Sequence, residues 1–270
     1  MDLNELPATP FRRHPWEIAR ARFFTEVVAG VNPNGGPLRA MDIGAGDGYL
    51  ARHVLQGLPA GSTMTCVDAN YSELDLARLA VPPLAGLTFA RARPAGRHDV
   101  VMLLDVIEHV PDDRAFLDEI LEDSLQPGGA ALVSVPAWDL LYGPHDVALK
   151  HYRRYQPAQC RALLRAAGLE IVRDGGLFHS LLVPRILQRV SEVAFGVLRL
   201  GRGGQSRGGD TDRPADDRPA NLGEWRGGPL LSSVVTMALD ADTRLSAQLA
   251  RRGHELPGLS YWALGRRRSA

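Results

Sequence analysis

The stretch Asp42-Ile-Gly-Ala-Gly-Asp-Gly48 constrains the fold of this chain more than any other. The apolar residues that lead up to Ile43 suit a short buried strand, and from Tyr49 onward apolar residues recur at helical spacing. A strand, a glycine turn and a helix in this order bring backbone N–H groups and a helix N-terminus to a ligand. Glycine suits such a turn because it adopts positive φ and leaves room for the ligand. The stretch therefore predicts a ligand-binding turn, called here the glycine turn (residues 44–48).

Two carboxylates accompany the glycine turn. Asp42 lies on the strand before it, and Asp68 ends the apolar run Met64–Val67, about 20 residues beyond the last glycine. At that distance the second strand of a βαβ unit presents a carboxylate to a ribose diol. The turn and Asp68 together predict a site for a nucleoside.

Strand and helix patterns alternate along most of the chain, which predicts an α/β fold with a doubly wound parallel sheet. The run 99–104 is almost wholly apolar, as in a parallel strand that is buried on both faces. Further strands are expected over 63–67, 87–92, 130–135, 169–173 and 259–265. Helices are expected over 47–57, 71–80, 112–125 and 157–167.

The segment 177–256 separates the last two predicted strands and is expected to be a helical insertion in a domain formed by 1–176 and 257–270. Pro184–Leu200 and Pro229–Arg251 are predicted amphipathic helices. The loop 201–220 between them is rich in Gly, Arg, Asp and Pro, and we expect it to be disordered. The insertion could pack beside the core, cover a lipophilic ligand, touch a membrane surface or form a homodimer.

Composition narrows the choice of partners and compartment. The 31 basic and 31 acidic residues balance, which argues against a nucleic acid as the main partner. Two cysteines cannot form a disulfide framework, and the first ten residues lack the apolar segment of a signal peptide. We therefore expect a cytoplasmic protein.

Four motifs follow one another in a recognisable order: Asp42–Gly48, Val67-Asp68, Asp105–Val110 and Leu125–Ala130. In this order and spacing the chain resembles the class I S-adenosylmethionine-dependent methyltransferases over roughly residues 38–175. The resemblance implies a Rossmann-like seven-stranded sheet whose last two strands form an antiparallel pair. It also implies S-adenosyl-L-methionine as the cofactor and methyl transfer to an oxygen or nitrogen of a small or lipophilic acceptor (EC 2.1.1.-).

By this resemblance, the glycine turn contacts the methionyl end of the cofactor, Asp42 orders its ammonium group and Asp68 accepts hydrogen bonds from the ribose. The implied cofactor-binding residues are Asp42, Gly44, Ala45, Gly46, Gly48, Asp68, Ala69, Asn70 and Asp105. Family members often carry an acidic residue after strand 3 for the adenine amino group. This chain has Ala90-Arg-Ala-Arg-Pro94 there, so the adenine contact is left open.

A further helix is predicted over Pro15–Val28, with Pro15 at its first position. In the methyltransferases that the chain resembles, such a helix lies across the mouth of the cofactor site, so His14, Trp16 and Arg20 could face it. The alternative is an outer helix on which Trp16 packs as a hydrophobic staple.

Residues 138–155, called here the acceptor loop, follow the fifth predicted strand and carry many polar and ionisable side chains. Loops at the carboxyl edge of an α/β sheet are where ligands bind. The segment also resembles that of the ubiquinone-type O-methyltransferases, a subgroup in which this loop closes on the substrate. The residues expected to contact the acceptor are Tyr142, Asp146, Arg153, Arg154 and Tyr155.

A neutral imidazole near the acceptor could take up its proton at neutral pH. The candidates for this base are His109, at the end of the fourth strand, and His145 and His151 in the acceptor loop. His109 could instead pack against the helix that follows it. We expect no metal site, because the spacing of His145, Asp146 and His151 is not diagnostic of one.

Two other functions stay open. An NAD(P)-dependent oxidoreductase would share the glycine turn and Asp68, but this turn does not match G-x-G-x-x-G, and Asp105–Val110 has no place in that class. A non-catalytic cofactor-binding partner subunit would be marked by a blocked pocket. The ionisable residues over 145–155 argue against that alternative.

Overall fold

A computed structural model describes residues 12–32, 35–201, 225 and 227–268. Within these residues, seven strands form one mixed sheet. The strands are β1 (Arg39–Ile43), β2 (Thr63–Val67), β3 (Leu87–Ala90), β4 (His98–Leu104), β5 (Leu125–Pro136), β6 (Leu169–Leu177) and β7 (Ser260–Arg267). Their order across the sheet is β3-β2-β1-β4-β5-β7-β6. β7 runs antiparallel to both of its neighbours, whereas the pairs among β1 to β5 are parallel.

The same residues contain eight α-helices, most of which connect successive strands. They are α1 (Pro15–Ala29), α2 (Tyr49–Gln56), α3 (Glu73–Leu79), α4 (Asp113–Ser124), α5 (Pro144–Ala148), α6 (Pro157–Ala166), α7 (His179–Gly201) and α8 (Pro229–Arg251). Short 3₁₀ turns at Ile107–His109 and Asp139–Leu141 follow β4 and β5.

β4 is buried on both faces because its alternate residues enter two separate cores. Val100 and Met102 pack with residues of α1, α2 and α8. Val101 and Leu103 pack on the opposite face with residues of α4 and α6. The sheet therefore lies between two helical layers, and the carboxyl ends of its parallel strands meet at one edge, where such folds bind ligands.

The predicted fold class is confirmed: the structure is a doubly wound, seven-stranded α/β sheet with an antiparallel last strand. Several predicted bounds are also those of the structure, including 63–67 for β2 and Pro229–Arg251 for α8. β6 runs on to Leu177, beyond its predicted end at Arg173.

α7 begins at His179, earlier than its predicted start at Pro184. The reason is a cap from another helix. The carboxylate of Asp242 in α8 accepts hydrogen bonds from the backbone N–H groups of His179 (3.0 Å) and Ser180 (2.7 Å). Such bonds satisfy donors that a helix leaves open at its N-terminus. Because Asp242 is distant in the chain, the local sequence did not show this cap.

α8 belongs to the packed body of the protein. Leu239 and Ala250 are buried in the core that α1 shares with the sheet. The Ser246 hydroxyl donates a hydrogen bond to the carbonyl oxygen of Gly176 in β6, and Arg22 of α1 forms an ion pair with Asp240. The second helix of the predicted insertion therefore completes one helical layer.

α7 leaves an apolar stripe exposed, formed by Val183, Ile186, Leu187 and Val190. No helix in the described ranges is both long enough and apolar enough to cross a bilayer. Apart from Gly201 at the end of α7, the predicted disordered loop 201–220 lies outside the described residues. The division of the chain into two domains stays a prediction.

Replacing Leu239 by alanine should lower the free energy of unfolding by about 2–5 kcal/mol, because the side chain is buried beneath α8. The matched control is Met237→Ala on the exposed face of the same helix, which should change it by less than about 0.5 kcal/mol. Urea denaturation checks both values. Equal effects of the two substitutions would show that α8 does not share the core of the sheet.

Candidate functional site

The glycine turn is held against the end of β2 by its own backbone. The N–H of Gly44 donates to the carbonyl oxygen of Val67 at 2.8 Å. Gly44 has a φ of +71°, and a Cβ there would lie 2.7 Å from a methyl carbon of Val106. Gly48 has a φ of +67°, and its Cβ would lie 2.6 Å from the ring of Phe89. Both positions therefore require glycine, for conformation and for space.

Asp68 follows β2 and is hydrogen-bonded to the glycine turn. Its Oδ2 accepts from the N–H of Gly46 at 3.1 Å, and its Oδ1 accepts from the N–H of Asn70 at 2.9 Å. An ionised carboxylate has about four acceptor positions, so each oxygen can still accept one further hydrogen bond. The side chain is thus fixed in place and remains able to bind a diol.

A cavity of about 820 Å³ opens at the carboxyl ends of β1, β2 and β4. The predicted residues that line it are Gly44, Asp68, Ala69, Asn70, Asp105 and His109. Ala45, Gly46 and Gly48 lie on the adjoining turn. Residues 91–96, which follow β3, also line the cavity. The sequence left open whether this segment contacts the adenine, and the segment does border the cavity.

Asp42 lies on β1 next to the turn and is almost fully buried. Burial raises the pKa of this carboxyl to about 7, a rise that the Arg20 guanidinium opposes and the Asp68 carboxylate favours. The carboxyl therefore changes charge near neutral pH. A cationic group bound beside it would favour the ionised form.

Arg20 reaches from α1 to the end of β4. Its guanidinium lies 2.7 Å from a carboxylate oxygen of Asp105 and donates to the Ser134 hydroxyl at 3.1 Å. The Ser134 hydroxyl donates in turn to Asp105 at 3.0 Å. α1 therefore borders the site, as the resemblance implied for Arg20. Trp16 packs against Phe178, and His14 caps the helix.

Glu108 lies in the 3₁₀ turn after β4 and is fully buried. Neither of its carboxylate oxygens has a hydrogen-bond partner among the residues that the structure describes. Burial raises the pKa of Glu108 well above its usual range, and the nearby Asp105 carboxylate adds to the effect. Burying a carboxyl group without a hydrogen-bond partner costs free energy of folding, so Glu108 is a candidate ligand-binding residue.

Asp146 organises the acceptor loop. Its buried carboxylate accepts from Nδ1 of His151 at 2.9 Å, from Nε of Arg154 at 2.8 Å and from the N–H of Gly143 at 3.0 Å. Burial alone would raise the pKa of Asp146, but the bonds from His151 and Arg154 outweigh it and lower the pKa to about 2. Asp146 is therefore a fixed anion that orients His151.

His151 and His109 come together although they lie on different segments. Their rings meet edge to face with centroids 4.6 Å apart. Glu108, His109 and His151 each offer one ligand atom, and these atoms lie within 4.8 Å of one another. The three residues could therefore hold a metal ion. The set differs from His145, Asp146 and His151, whose spacing in the sequence was not diagnostic of a metal site, and Asp146 is engaged with His151 and Arg154.

The other predicted acceptor residues have partners within the protein. The Tyr155 hydroxyl lies 2.7 Å from Asp113, and Arg153 forms an ion pair with the same carboxylate at 2.8 Å. The Tyr142 hydroxyl donates to the carbonyl oxygen of His151 at 2.7 Å. These bonds, and those of Arg154, position the loop, and direct contact of these residues with an acceptor stays a prediction.

His145 stands apart from the other two candidate bases. It lies in the first turn of α5, and its Nδ1 is buried without a hydrogen-bond partner among the described residues. Burial lowers the pKa of His145. The nearby Arg185 guanidinium of α7 lowers this pKa further.

The burial of Glu108 is not evident from the sequence. Glu108 lies inside the motif Asp105–Val110, but a single glutamate beside a histidine looks the same whether it is exposed or buried. Ser134 was missed as well, because a serine in a buried strand carries no sign of its partners. Only the apolar surroundings of Glu108 on both sides of the turn could have suggested its burial.

The fold and the site define the chain as a nucleotide-cofactor-binding α/β protein of the Rossmann-like type. A family model described as a methyltransferase domain matches residues 11–174, which is more than half of the chain. The chain therefore belongs to the class I S-adenosylmethionine-dependent methyltransferases, and the cofactor of the family is S-adenosyl-L-methionine.

Curated relatives share part of this chain. It is 32% identical over 150 residues to a protein of Mycolicibacterium smegmatis described as a probable S-adenosylmethionine-dependent methyltransferase, over 52% of this chain and 54% of that one. It is 34% identical over 167 residues to a ubiquinone biosynthesis O-methyltransferase of Dinoroseobacter shibae, over 52% of this chain and 63% of that one. The chain thus spans less than two thirds of the length of either relative.

The fold also occurs in solved structures of low sequence identity. The [4+2]-cyclase SpnF superposes with a TM-score of 0.53 at 17% identity, over 99% of this chain and 90% of that one. Such a likeness shows the fold alone.

The raised pKa of Asp42 predicts a pH-dependent stability. The pKa of Asp42 is about 7 in the folded state and 3.8 ordinarily. As the pH rises, the unfolded chain therefore loses this proton at a lower pH than the folded protein does. Wild-type protein should therefore lose stability relative to Asp42→Asn as the pH rises from about 4 to about 7, by at most roughly 4 kcal/mol.

Urea denaturation at several pH values measures this difference, with the exposed Asp118→Asn as the control for loss of a carboxylate. If the free energies of unfolding of wild type and Asp42→Asn differ by a constant amount over this pH range, Asp42 has an ordinary pKa in the folded protein.

Proposed function

We propose that this protein transfers a methyl group from S-adenosyl-L-methionine to an oxygen or nitrogen of a small or lipophilic acceptor. The observation that carries the proposal is the juxtaposition of two parts. One is a cavity bordered by Gly44 and Asp68, and the other is the His151–Asp146 pair. His109 lines the cavity, and its ring contacts that of His151.

The residues around the cavity fit the cofactor. Asp68 is held by Gly46 and Asn70 and keeps acceptor positions for the two ribose hydroxyls. Gly44 lines the cavity without a side chain, and a Cβ there would collide with Val106. Asp42 and Asp105 supply negative charge for the ammonium group of the methionyl part. Arg20, which is paired with Asp105, is placed to neutralise the methionyl carboxylate.

When bound, the cofactor supplies an electrophilic methyl group on a sulfonium. The protein then needs to position the acceptor, exclude water and remove a proton from the acceptor. His151 is the best placed of the three candidate bases. Asp146 holds its Nδ1 at 2.9 Å, which leaves Nε2 as the nitrogen with a lone pair. Loss of the acceptor proton therefore depends on His151.

The surroundings of the acceptor loop support a lipophilic acceptor. Leu140 and Val147 are exposed on the loop itself. α7 adjoins it, since Arg185 donates to the carbonyl oxygen of Leu141 at 3.5 Å, and this helix carries the exposed apolar stripe. The same stripe would suit the peripheral membrane contact or the homodimer that the sequence left open.

The two alternatives are less well supported. In the dinucleotide-binding sheet of oxidoreductases the strands run parallel in the order 3-2-1-4-5-6, whereas here the antiparallel β7 lies between β5 and β6. A non-catalytic partner subunit would not need an accessible cavity that meets oriented histidines. An oxidoreductase would differ from a methyltransferase in the cofactor it binds, and a non-catalytic subunit would differ in its lack of turnover.

Isothermal titration calorimetry tests the cofactor. S-adenosylhomocysteine should bind the wild-type protein, and NADH should give no heat. Asp68→Asn should weaken S-adenosylhomocysteine binding about 10- to 100-fold, because hydrogen bonds to a charged acceptor contribute roughly 1.5–3 kcal/mol. Asp118→Asn on the exposed face of α4 is the control and should bind normally. Binding of NADH instead of S-adenosylhomocysteine would reject the proposed function.

Methyl transfer itself can be followed with methyl-labelled cofactor, an extract of the protein's own cell and mass spectrometry of the labelled product. His151→Gln should lower turnover about 10²- to 10⁴-fold and leave the affinity for S-adenosylhomocysteine unchanged. The control is His254→Gln on the exposed segment after α8. Full turnover in His151→Gln, or no labelled product with wild-type protein, would count against the proposal.

A further inference from the structure

The cluster of Glu108, His109 and His151 brings ligand atoms from two segments to within 4.8 Å of one another. We propose that these residues bind one divalent transition-metal ion, such as Zn²⁺, Fe²⁺ or Mn²⁺, and that this ion binds the oxygen to be methylated. The inference rests on the proposed function for its acceptor, but the binding of the ion can be measured without an acceptor.

Glu108 provides the first argument. Its side chain is fully buried, and both carboxylate oxygens lack a hydrogen-bond partner among the described residues. A buried carboxylate without donors costs several kcal/mol. A bound cation removes this cost. The nearby imidazoles of His109 and His151 do not remove it, because neither donates a hydrogen bond to Glu108.

His151 provides the second argument. Its Nδ1 is 2.9 Å from Asp146, whose carboxylate is also fixed by Arg154 and Gly143. In metal sites a histidine commonly donates its second ring N–H to a carboxylate, which fixes the tautomer and orients the other nitrogen toward the ion. Asp146 would be the carboxylate that orients a histidine ligand of such a site. It holds Nδ1 of His151, whose ring packs against His109 after β4.

The donor set determines the class of ion. Two imidazoles and one carboxylate suit Zn²⁺, Fe²⁺ or Mn²⁺, whereas Mg²⁺ and Ca²⁺ prefer oxygen ligands throughout. Three protein ligands also leave coordination positions open, as catalytic metal sites require. Ligand atoms bound about 2.1 Å from one ion lie no more than about 4.2 Å apart. A small movement of His109 or His151 from the observed arrangement closes the site.

The place of the cluster determines what the ion would do. His109 lines the cofactor cavity, so an ion held there meets the acceptor beside the methyl group. A divalent ion lowers the pKa of a bound hydroxyl and favours an oxygen acceptor over an amine. With the ion bound, His151 is a metal ligand and no longer the base, so the acceptor oxygen releases its proton to water as it forms the new bond to the methyl carbon. The electron pair of the broken carbon–sulfur bond stays on sulfur.

The experiment uses the untagged full chain, freed of metal by dialysis against a chelator. Titration with Co²⁺, followed by visible absorption, and calorimetric titration with Zn²⁺ should each show one ion per chain, whereas Mg²⁺ should bind far more weakly. Glu108→Gln should abolish this binding, and Asp146→Asn should weaken it about 10- to 100-fold. The control, His254→Ala, removes an exposed histidine outside the cluster and should bind Co²⁺ as the wild type does.

S-adenosylhomocysteine binding, measured on each variant and on the metal-free protein, shows that the chain is folded and keeps the two proposals separate. Normal S-adenosylhomocysteine binding with no Co²⁺ or Zn²⁺ binding would overturn the metal site and leave the methyltransferase proposal intact. Co²⁺ binding that survives Glu108→Gln would also overturn it, since the ion would then lie elsewhere. Loss of Co²⁺ binding in Glu108→Gln with S-adenosylhomocysteine binding retained supports the site.

Discussion

The hydrogen bonds that join the glycine turn to the end of β2 are the interaction on which the rest of the site depends. Gly44 binds the carbonyl oxygen of Val67, and Gly46 binds the carboxylate of Asp68. These bonds fix both the backbone that borders the cavity and the carboxylate that we propose as the ribose-binding group. Because β1 and β2 are adjacent parallel strands, the two parts meet at the same edge of the sheet.

Ion pairs and hydrogen bonds to two carboxylates determine the conformation of the acceptor loop. Asp146 holds His151 and Arg154, while Asp113 holds Arg153 and Tyr155. The Asp146 pairs lie within the acceptor loop and hold it together, whereas the Asp113 pairs tie the loop to the start of α4. Removing one partner of such a pair leaves an uncompensated charge, which is strongly destabilising. The arginines and tyrosines of the loop therefore give it a defined shape, whether or not they also touch an acceptor.

The sequence predicted those features that depend on local pattern. The glycine turn, Asp68 and the bounds of β2 and α8 follow from residue type and periodicity, and the structure agrees with them. The cap that Asp242 gives α7 and the ion pair of Arg20 with Asp105 join residues that are far apart in the chain. Periodicity carries no information about such pairs, because many carboxylates could serve equally well until the fold selects one.

The same limit explains Glu108. Its motif was recognised, but its burial results from packing on several sides at once, and its lack of partners is a property of the finished structure. The cost of burying polar groups makes such positions rare unless they serve a ligand. The local sequence thus predicted where the site lies. The three-dimensional packing showed which of its side chains remain able to bind a ligand.

A crystal structure of the protein with S-adenosylhomocysteine tests the central claim most directly. We expect both ribose hydroxyls to lie about 3 Å from the carboxylate oxygens of Asp68, with the homocysteine part beside Gly44 and Asp105. A nucleoside bound elsewhere, or a ribose that makes no contact with Asp68, would contradict it.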